Sequence, residues 1–263
     1  MTKKLGIDIS RHQGDMNWDV VSLHEPPVEF IGIRAAISWG YTDNQFAVNW
    51  AGAKSIGIPR MAYHVLYPKE NIQRQVDHFE SILGDDYGEM PVVADIELLH
   101  DSSKSAMANS IREYVLRLED KFGRRPIIYS RASFFDYSVD RSFIDTIGNN
   151  YYWWLAHYLS TAGVEATFPP AVPHGLNRDR VIIHQTADTM PAIGGQSHSM
   201  DFNRWLVTDQ LYEEITGGVT EPEPPVEPPT PPENPEAITE IVTQLKVIQA
   251  EGDKFSVLMG GLK

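Results

Sequence analysis

Pro91-Val92-Val93-Ala94-Asp95-Ile96-Glu97 is an apolar, β-branched run that closes on two carboxylates one residue apart. Such a run predicts a buried strand ending in polar chemistry. Side chains on a strand alternate between faces, which puts Val93, Asp95 and Glu97 on one face and Val92, Ala94 and Ile96 on the other. Neighbours on one face have Cα atoms roughly 6.6 Å apart. Two carboxylic acids that close beside a buried wall push their pKa values apart, and one can keep its proton near neutral pH. A protonated acid beside an ionised one is the equipment for cleaving a glycosidic bond. A pair of solvated acids just past a strand end would carry the same letters, so the assignment depends on the rest of the chain.

Strand-like and helix-like segments alternate outward from this run. Leu5-Gly6-Ile7-Asp8-Ile9-Ser10 and Phe30-Ile31-Gly32-Ile33-Arg34-Ala35-Ala36 read as strands, followed by a third over residues 60–67. Phe46 and Trp50 stand four apart in a helix predicted over residues 44–56, with Gly57-Ile58-Pro59 as its stop. Ile72, Val76, Phe79 and Leu83 form the apolar stripe of the next helix. Ser102 or Ser103 caps another, which runs to about Phe122 and ends at Gly123. Further strands are predicted over residues 126–130, 152–158, 180–185 and 199–203. Helix and strand alternate clearly through the first five strands, which predicts parallel strands with crossover helices; eight strands suggest a closed barrel. Helices are scarce between the sixth and eighth strands, so the barrel is expected to be irregular there. Asp8, Asp95, Glu97 and Asp201 fall near the C-terminal ends of these strands, the edge that carries the active site in a β/α barrel. Four acids from three strands meeting at one rim are a stronger signal than any of them alone.

Composition narrows the possible functions. The 263 residues allow one large domain, or one domain with an appendage, and a hydrophobic fraction of 42% suits a sizeable core. No stretch approaches the roughly 20 apolar residues of a membrane span, so no membrane insertion is expected. Met1-Thr2-Lys3-Lys4 leads into no apolar run before Asp8, so no signal peptide is expected. Without cysteine there are no disulfides, thiolate metal sites or thiol nucleophiles. The nine histidines are scattered without metal-like spacing, so neither a metal nor a cofactor is expected. A formal charge of -14 argues against nucleic acid, which requires a basic footprint.

Part of that charge is local. Residues 217–236 form a Pro/Glu-rich linker after a barrel over residues 1–216, with eight prolines between Val219 and Glu236. Such a segment favours an extended polyproline form. Beyond it, Ile238, Ile241, Leu245, Ile248, Phe255, Met259 and Leu262 step by threes and fours, with Gly252 as a defect. That is a heptad seam on a short helical tail over residues 237–263. So short a segment has no core of its own and is expected to bury its stripe against copies of itself, the barrel or another partner. Self-association is the leading expectation, making the chain a homo-oligomer through residues 237–263.

The landmarks together resemble the family 25 glycoside hydrolases, lysozymes that act as N-acetylmuramidases on peptidoglycan. The resemblance rests on Gly6-Ile7-Asp8-Ile9-Ser10 with Gln13-Gly14 and Trp18, then Ala62-Tyr63-His64, then Asp95-Ile96-Glu97. It continues through Ile128-Tyr129-Ser130, Trp154-Leu155-Ala156-His157-Tyr158, His184-Gln185-Thr186 and Asp201-Phe202-Asn203, in consistent order over about residues 4–215. It implies an irregular, TIM-like β/α barrel with fewer helices than strands. It also implies that Glu97 is the general acid, that Asp95 orients or polarises the site, and that Asp8 and Asp201 complete an acidic base of the groove. Tyr63, Tyr129, Trp154, Tyr158, Gln185 and Asn203 would bind the sugars of peptidoglycan glycan strands. The sequence departs from the family's pattern twice. The second strand reads Arg34-Ala35-Ala36-Ile37-Ser38 where the family often has Lys-Ala-Thr-Glu-Gly, and His184 replaces a usual tryptophan before Gln185.

The expected reaction is retaining cleavage between N-acetylmuramic acid and N-acetylglucosamine. In one route the substrate's 2-acetamido oxygen attacks, with Asp95 or Asp201 orienting the amide. In the other a carboxylate attacks directly, about 5–5.5 Å from the acid. The resemblance leans toward the first. The rival readings are a non-catalytic wall-binding or virion structural module and a metal-dependent hydrolase. The layout of barrel, linker and tail, with no leader, suggests a bacteriophage endolysin made in the host cytoplasm and released to the cell wall.

Overall fold

The structure is a computed structural model that describes residues 4–158, 168–197 and 199–216. The linker over residues 217–236 and the tail over residues 237–263, with its expected self-association, lie outside the described residues.

Among the described residues nine strands form one sheet: β1 (Leu5–Ile9), β2 (Val28–Ile37), β3 (Tyr41–Thr42), β4 (Arg60–Val65), β5 (Val93–Asp95), β6 (Ile127–Ser130), β7 (Trp153–Ala156), β8 (Val181–Met190) and β9 (Met200–Trp205). All but β3 close into a barrel, because β1 pairs with both β2 and β9. The pairs from β1 through β8 around the ring are parallel. Strand β9 departs from the all-parallel expectation: it runs antiparallel to both β8 and β1. The reason is length. Strand β8 continues to Met190 rather than stopping at Gln185, which leaves residues 191–199 to make the connection. A parallel crossover needs about a dozen residues or more, usually with a helix, whereas an antiparallel return does not.

Among the described residues, seven α-helices accompany the nine strands. The helices α1 (Trp18–Ser22), α2 (Phe46–Ser55), α3 (Ile72–Leu83), α4 (Lys104–Phe122), α5 (Ala132–Ser138) and α6 (Ser142–Thr146) lie between successive strands, and α7 (Asp209–Thr216) follows β9. Their ends follow local chemistry. The Asn71 side chain accepts from the Arg74 amide at the start of α3, and the Ser103 hydroxyl accepts from the Ala106 amide at the start of α4. Gly123 ends α4 at φ 68°, a left-handed conformation in which a side chain would be strained.

Alternation along the strands separates two cores. Val92, Ala94 and Ile96 face outward and pack with Val76 and Phe79 of α3 and Ile111 and Leu118 of α4. Val93 faces inward and packs with Phe30, Met61, Ile127, Trp154 and Trp205. Two glycines make room inside the barrel. A Cβ on Gly6 would lie 2.3 Å from the Phe30 ring, and one on Gly32 would lie 3.1 Å from both Asp8 Cβ and Trp154 Cη2. Tyr212 and Ile215 of α7 join the inner core at the end occupied by Phe30, and the Trp205 and Tyr212 rings meet edge-on at 5.2 Å. Helix α7 therefore closes the end opposite the acids. Between barrel and helices, His64 is fully buried and neutral: its Nε2 lies 2.8 Å from the Ser38 carbonyl and its Nδ1 lies 2.7 Å from the Tyr114 hydroxyl. Burial pushes its pKa down to about 4.

Candidate active site

The acid-bearing run sits where the alternation predicts. Strand β5 ends at Asp95, but the backbone stays extended: the Ile96 amide donates to Tyr129 O at 2.9 Å, and the Ser130 hydroxyl donates to Ile96 O at 2.6 Å. These bonds carry the two-residue period one step further, so Glu97 emerges on the same face as Asp95. Asp8 is paired with Asp201 across the antiparallel β1–β9 register. Asp201 is near the start of its strand rather than the C-terminal end; the reversal of β9 is what brings it to the same rim.

Asp8, Asp95, Glu97 and Asp201 line one cavity of about 330 Å³. Of the expected sugar contacts, Tyr63, Tyr129, Trp154, Tyr158 and Gln185 also line it. Asn203 does not. It is fully buried behind the cavity wall, where its Nδ2 donates to Asp8 at 2.8 Å and its Oδ1 accepts from Trp154 Nε1 at 2.7 Å. Asn203 follows Asp201 by two residues on a strand and shares its inward face, but it lies one step deeper in the barrel. His184 takes the opposite face of β8 from Gln185. Its Nε2 lies 2.9 Å from the His157 carbonyl, and it does not line the cavity.

A chain of hydrogen bonds fixes Asp8. Gln185 Nε2 donates to the same Asp8 oxygen as Asn203, at 2.8 Å, and Gln185 Oε1 accepts from Tyr129 at 2.8 Å and from Tyr158. Gln185 is therefore engaged at both ends and serves first to hold Asp8. The Tyr129 and Trp154 rings meet edge-on at 4.8 Å, and Tyr63 meets Trp154 at 6.5 Å. Burial raises the pKa values of Tyr63 and Tyr129 well above the ordinary phenol, so both stay neutral.

Crowding of negative charge in a dry wall keeps protons on the acids. Burial and the Asp8 charge push Asp201 up to about 9. Burial raises Asp8 as well, but Asn203, Gln185 and Asp201 donate to it and oppose the rise, so Asp201 holds the proton between them. Asp95 is raised well above the usual range, first by burial and then by Glu97 and Asp8. One of its oxygens, Oδ1, is buried without a hydrogen-bond partner. Glu97 stands at the mouth in contact with solvent, so the dehydration that raises its pKa is milder. The Arg131 and Arg34 guanidiniums oppose that rise, while Asp8 adds to it.

Sequence reasoning missed the two arginines. Arg34 follows Phe30 and Gly32 on the inward face of β2, and Arg131 follows Tyr129 in the same way. Arg34 donates to the buried Asp43 at 2.8 Å. His12 and Gln13 also line the rim. The turn that presents them is a capping box: Ser10 Oγ accepts from the His12 amide, and Gln13 Oε1 accepts from the Ser10 amide at 2.8 Å.

The protonated Asp201 has a consequence for stability. Its folded pKa of about 9 lies above its unfolded value near 3.8, so its contribution is complete below pH 3.8 and is lost as pH rises toward 9. Asparagine mimics the protonated acid and cannot ionise. Wild-type Tm should therefore fall between pH 5 and 9 more steeply than that of Asp201→Asn. At pH 9 the variant should melt higher by at least roughly 3 °C. Parallel melting curves across this range would show that Asp201 is not the proton holder.

A barrel with carboxylic acids gathered at the open ends of its strands, backed by aromatic rings, is an architecture of glycoside hydrolases. The chain belongs to glycosyl hydrolases family 25, whose model matches residues 7–192. It is 31% identical to Lysozyme M1 of Streptomyces globisporus over 180 residues, 65% of this chain and 58% of that protein. It is 30% identical to YegX of Escherichia coli O6:H1, an uncharacterised protein, over 58% of this chain and 56% of that one. The chain thus spans little more than half the length of the curated relatives it matches. In fold it is similar to the bacterial lysozyme of Streptomyces coelicolor, with a TM-score of 0.68 and 26% identity, covering 83% of this chain and all of the other.

Proposed function

We propose that this chain is a peptidoglycan hydrolase, a β-1,4-N-acetylmuramidase that cleaves between N-acetylmuramic acid and N-acetylglucosamine with Glu97 as general acid. The observation that carries this reading is the convergence of Asp8, Asp95, Glu97 and Asp201 on one cavity, with a raised glutamic acid at its mouth. Family membership and the likeness to Lysozyme M1 support it.

Glu97 is the acid that can meet solvent and a glycosidic oxygen together. Asp95 lines the cavity beside Glu97 with one oxygen still lacking a hydrogen-bond partner, and we read it as the group that orients the N–H of a 2-acetamido group. This favours the substrate-assisted route. The acetamide oxygen attacks the anomeric carbon, the glycosidic C–O bond breaks, and the Glu97 proton passes to the departing oxygen. Water then opens the cyclic intermediate and returns a proton to Glu97, so the anomeric configuration is retained. Asp8 and Asp201 share one proton and one negative charge, which stabilises the positive charge developing on the sugar ring. Tyr63, Tyr129, Trp154 and Tyr158 supply faces and hydroxyls suited to sugar rings.

Release onto walls at lysis, as by a phage endolysin, fits the sequence layout of barrel, Pro/Glu linker and apolar-striped tail. The test is digestion of purified Gram-positive walls with analysis of the new ends. A muramidase lowers turbidity and leaves N-acetylmuramic acid at the reducing ends. Reducing-end N-acetylglucosamine would contradict the bond assignment, and intact walls would favour a silent, wall-binding barrel.

A further inference from the structure

A second pocket opens beside the acids, and nothing in the mechanism uses it. It has a volume of about 420 Å³ and shares His12 and Arg34 with the catalytic cavity, so the two adjoin. Its character is different. Where four carboxylic acids dominate the catalytic cavity, this pocket is lined by Arg11, Arg34, Trp39, Tyr41 and Tyr67, with Glu70 as its one acid and Ile37 as an apolar wall. The Arg11 guanidinium lies 5.6 Å from the Tyr41 ring centre and has no ion pair among the described residues. Arg74 lies over the Trp39 ring at 3.7 Å and also has no ion pair among them. The acids close by are held in place: Asp43 accepts from Arg34 and from the Arg11 amide, and Glu70, on the pocket wall, accepts from the Ser38 hydroxyl.

Arg11 is thus a guanidinium at the pocket without an ion pair among the described residues, beside Arg34 and near Arg74, on a chain of charge -14. Guanidiniums bind carboxylates through paired, charge-assisted hydrogen bonds, and exposed rings beside them cover apolar or amide groups. Ser38 adds to this picture. It is a buried non-glycine residue at φ 54°, where a side chain is strained, and it connects β2 to Trp39. Strain of this kind is held where the surroundings over-determine it. Here the Ser38 carbonyl is bonded to His64 and its hydroxyl to Glu70, which fixes the shelf bearing Trp39 before any ligand arrives.

We infer that this pocket is a specificity subsite for the carboxylate-bearing peptide attached to a glycan chain lying in the catalytic cavity, with Arg11 and Trp39 as its principal contacts. The inference rests on the peptidoglycan reading above. A glycan chain carries such peptides on its lactyl groups, next to the bond to be cut. An anionic peptide finds an unpaired guanidinium at this end. The two pockets adjoin at His12 and Arg34, so one branched substrate can reach both. A further sugar ring, which carries at most a lactyl carboxylate beside the ring, is the competing occupant.

The experiment uses the full chain and soluble glycan chains with peptides intact or removed by an amidase. Affinity is measured by calorimetry on Glu97→Gln, which does not depend on turnover, and hydrolysis is followed in parallel without that substitution. Peptide-bearing chains should bind about tenfold more tightly than stripped ones. Adding Arg11→Ala and Trp39→Ala should remove that difference while leaving affinity for stripped chains unchanged. In hydrolysis the same pair should raise KM for peptide-bearing chains and leave kcat as it was. Equal weakening toward both chains would make the pocket a sugar subsite and overturn the inference, as would equal affinity of the unaltered pocket for both. Peptide-dependent binding without any hydrolysis would instead support the subsite and sink the hydrolase reading.

Discussion

Replacing Glu97 by glutamine should lower kcat on cell-wall substrate by about a hundred- to ten-thousandfold while leaving sugar affinity within about twofold. The amide has the shape of the protonated acid and keeps its contacts, but it has no proton to give the departing oxygen. Glu97 is exposed at the cavity mouth, so the exchange should not disturb packing, and the melting temperature should stay close to that of wild type. The other three acids are poorer candidates for the same role. Asp95 and Asp8 are buried in the wall, and the proton of Asp201 is engaged with Asp8. The assignment also fixes the sign of the alkaline limb. Burial raises the Glu97 pKa, so the proton it donates persists to higher pH than on a free glutamate, and kcat falls as it is lost. Steady-state kinetics with calorimetric binding to the variant would decide the matter. A variant turning over within tenfold of wild type would mean that another group protonates the leaving oxygen.

Much of this site was legible because strand alternation is a hard geometric rule. The inward set Val93, Asp95 and Glu97 followed from position alone, and hydrogen bonding of Ile96 and Ser130 to their neighbours explains why the rule held past the strand end. The convergence of Asp8 with Asp95 followed from a barrel of alternating strands and helices. The direction of β9 did not. Its short alternating run fits either orientation, and the apparent stop of β8 at Gln185 left residues 186–198, enough chain for a crossover. Arg34 and Arg131 were overlooked for a different reason. A charged residue closing an apolar run reads as a solvated end unless its parity is followed, and parity places both inside. Asn203 was placed too near the sugar, since sequence gives the face of a residue and not its depth. The pocket beyond Arg34 was not legible at all, because it joins the turn after β1 to the end of β2 and the loop before α3.

Trp154→Ala should be the most damaging single change inside the barrel, costing about 3–5 kcal/mol, or a Tm drop on the order of 10 °C. Trp154 is only 2% exposed and is the largest ring among those facing the acids. Its removal opens a void between Tyr129, Tyr63 and Gly32, none of which can fill it: the tyrosines are held edge-on, and Gly32 has no side chain. The loss is also chemical. Trp154 Nε1 donates to Asn203 Oδ1, and the same Asn203 donates to Asp8, so the indole fixes the amide that fixes the carboxylate. Without it a fully buried amide oxygen has lost its donor, and the orientation of Asn203 toward Asp8 is no longer enforced. Trp154→Phe separates the two effects. It keeps most of the ring and should cost less in stability, roughly 1–3 kcal/mol, chiefly through the orphaned Asn203 oxygen. Its activity should nevertheless fall well beyond what its folded fraction explains, because Asp8 and the proton it shares with Asp201 are no longer held in register. Chemical denaturation of both variants, with activity measured far below their melting points, tests the argument. A phenylalanine variant as active as wild type would confine Trp154 to packing, and an alanine variant within 1 kcal/mol of wild type would mean that the barrel interior repacks around its loss.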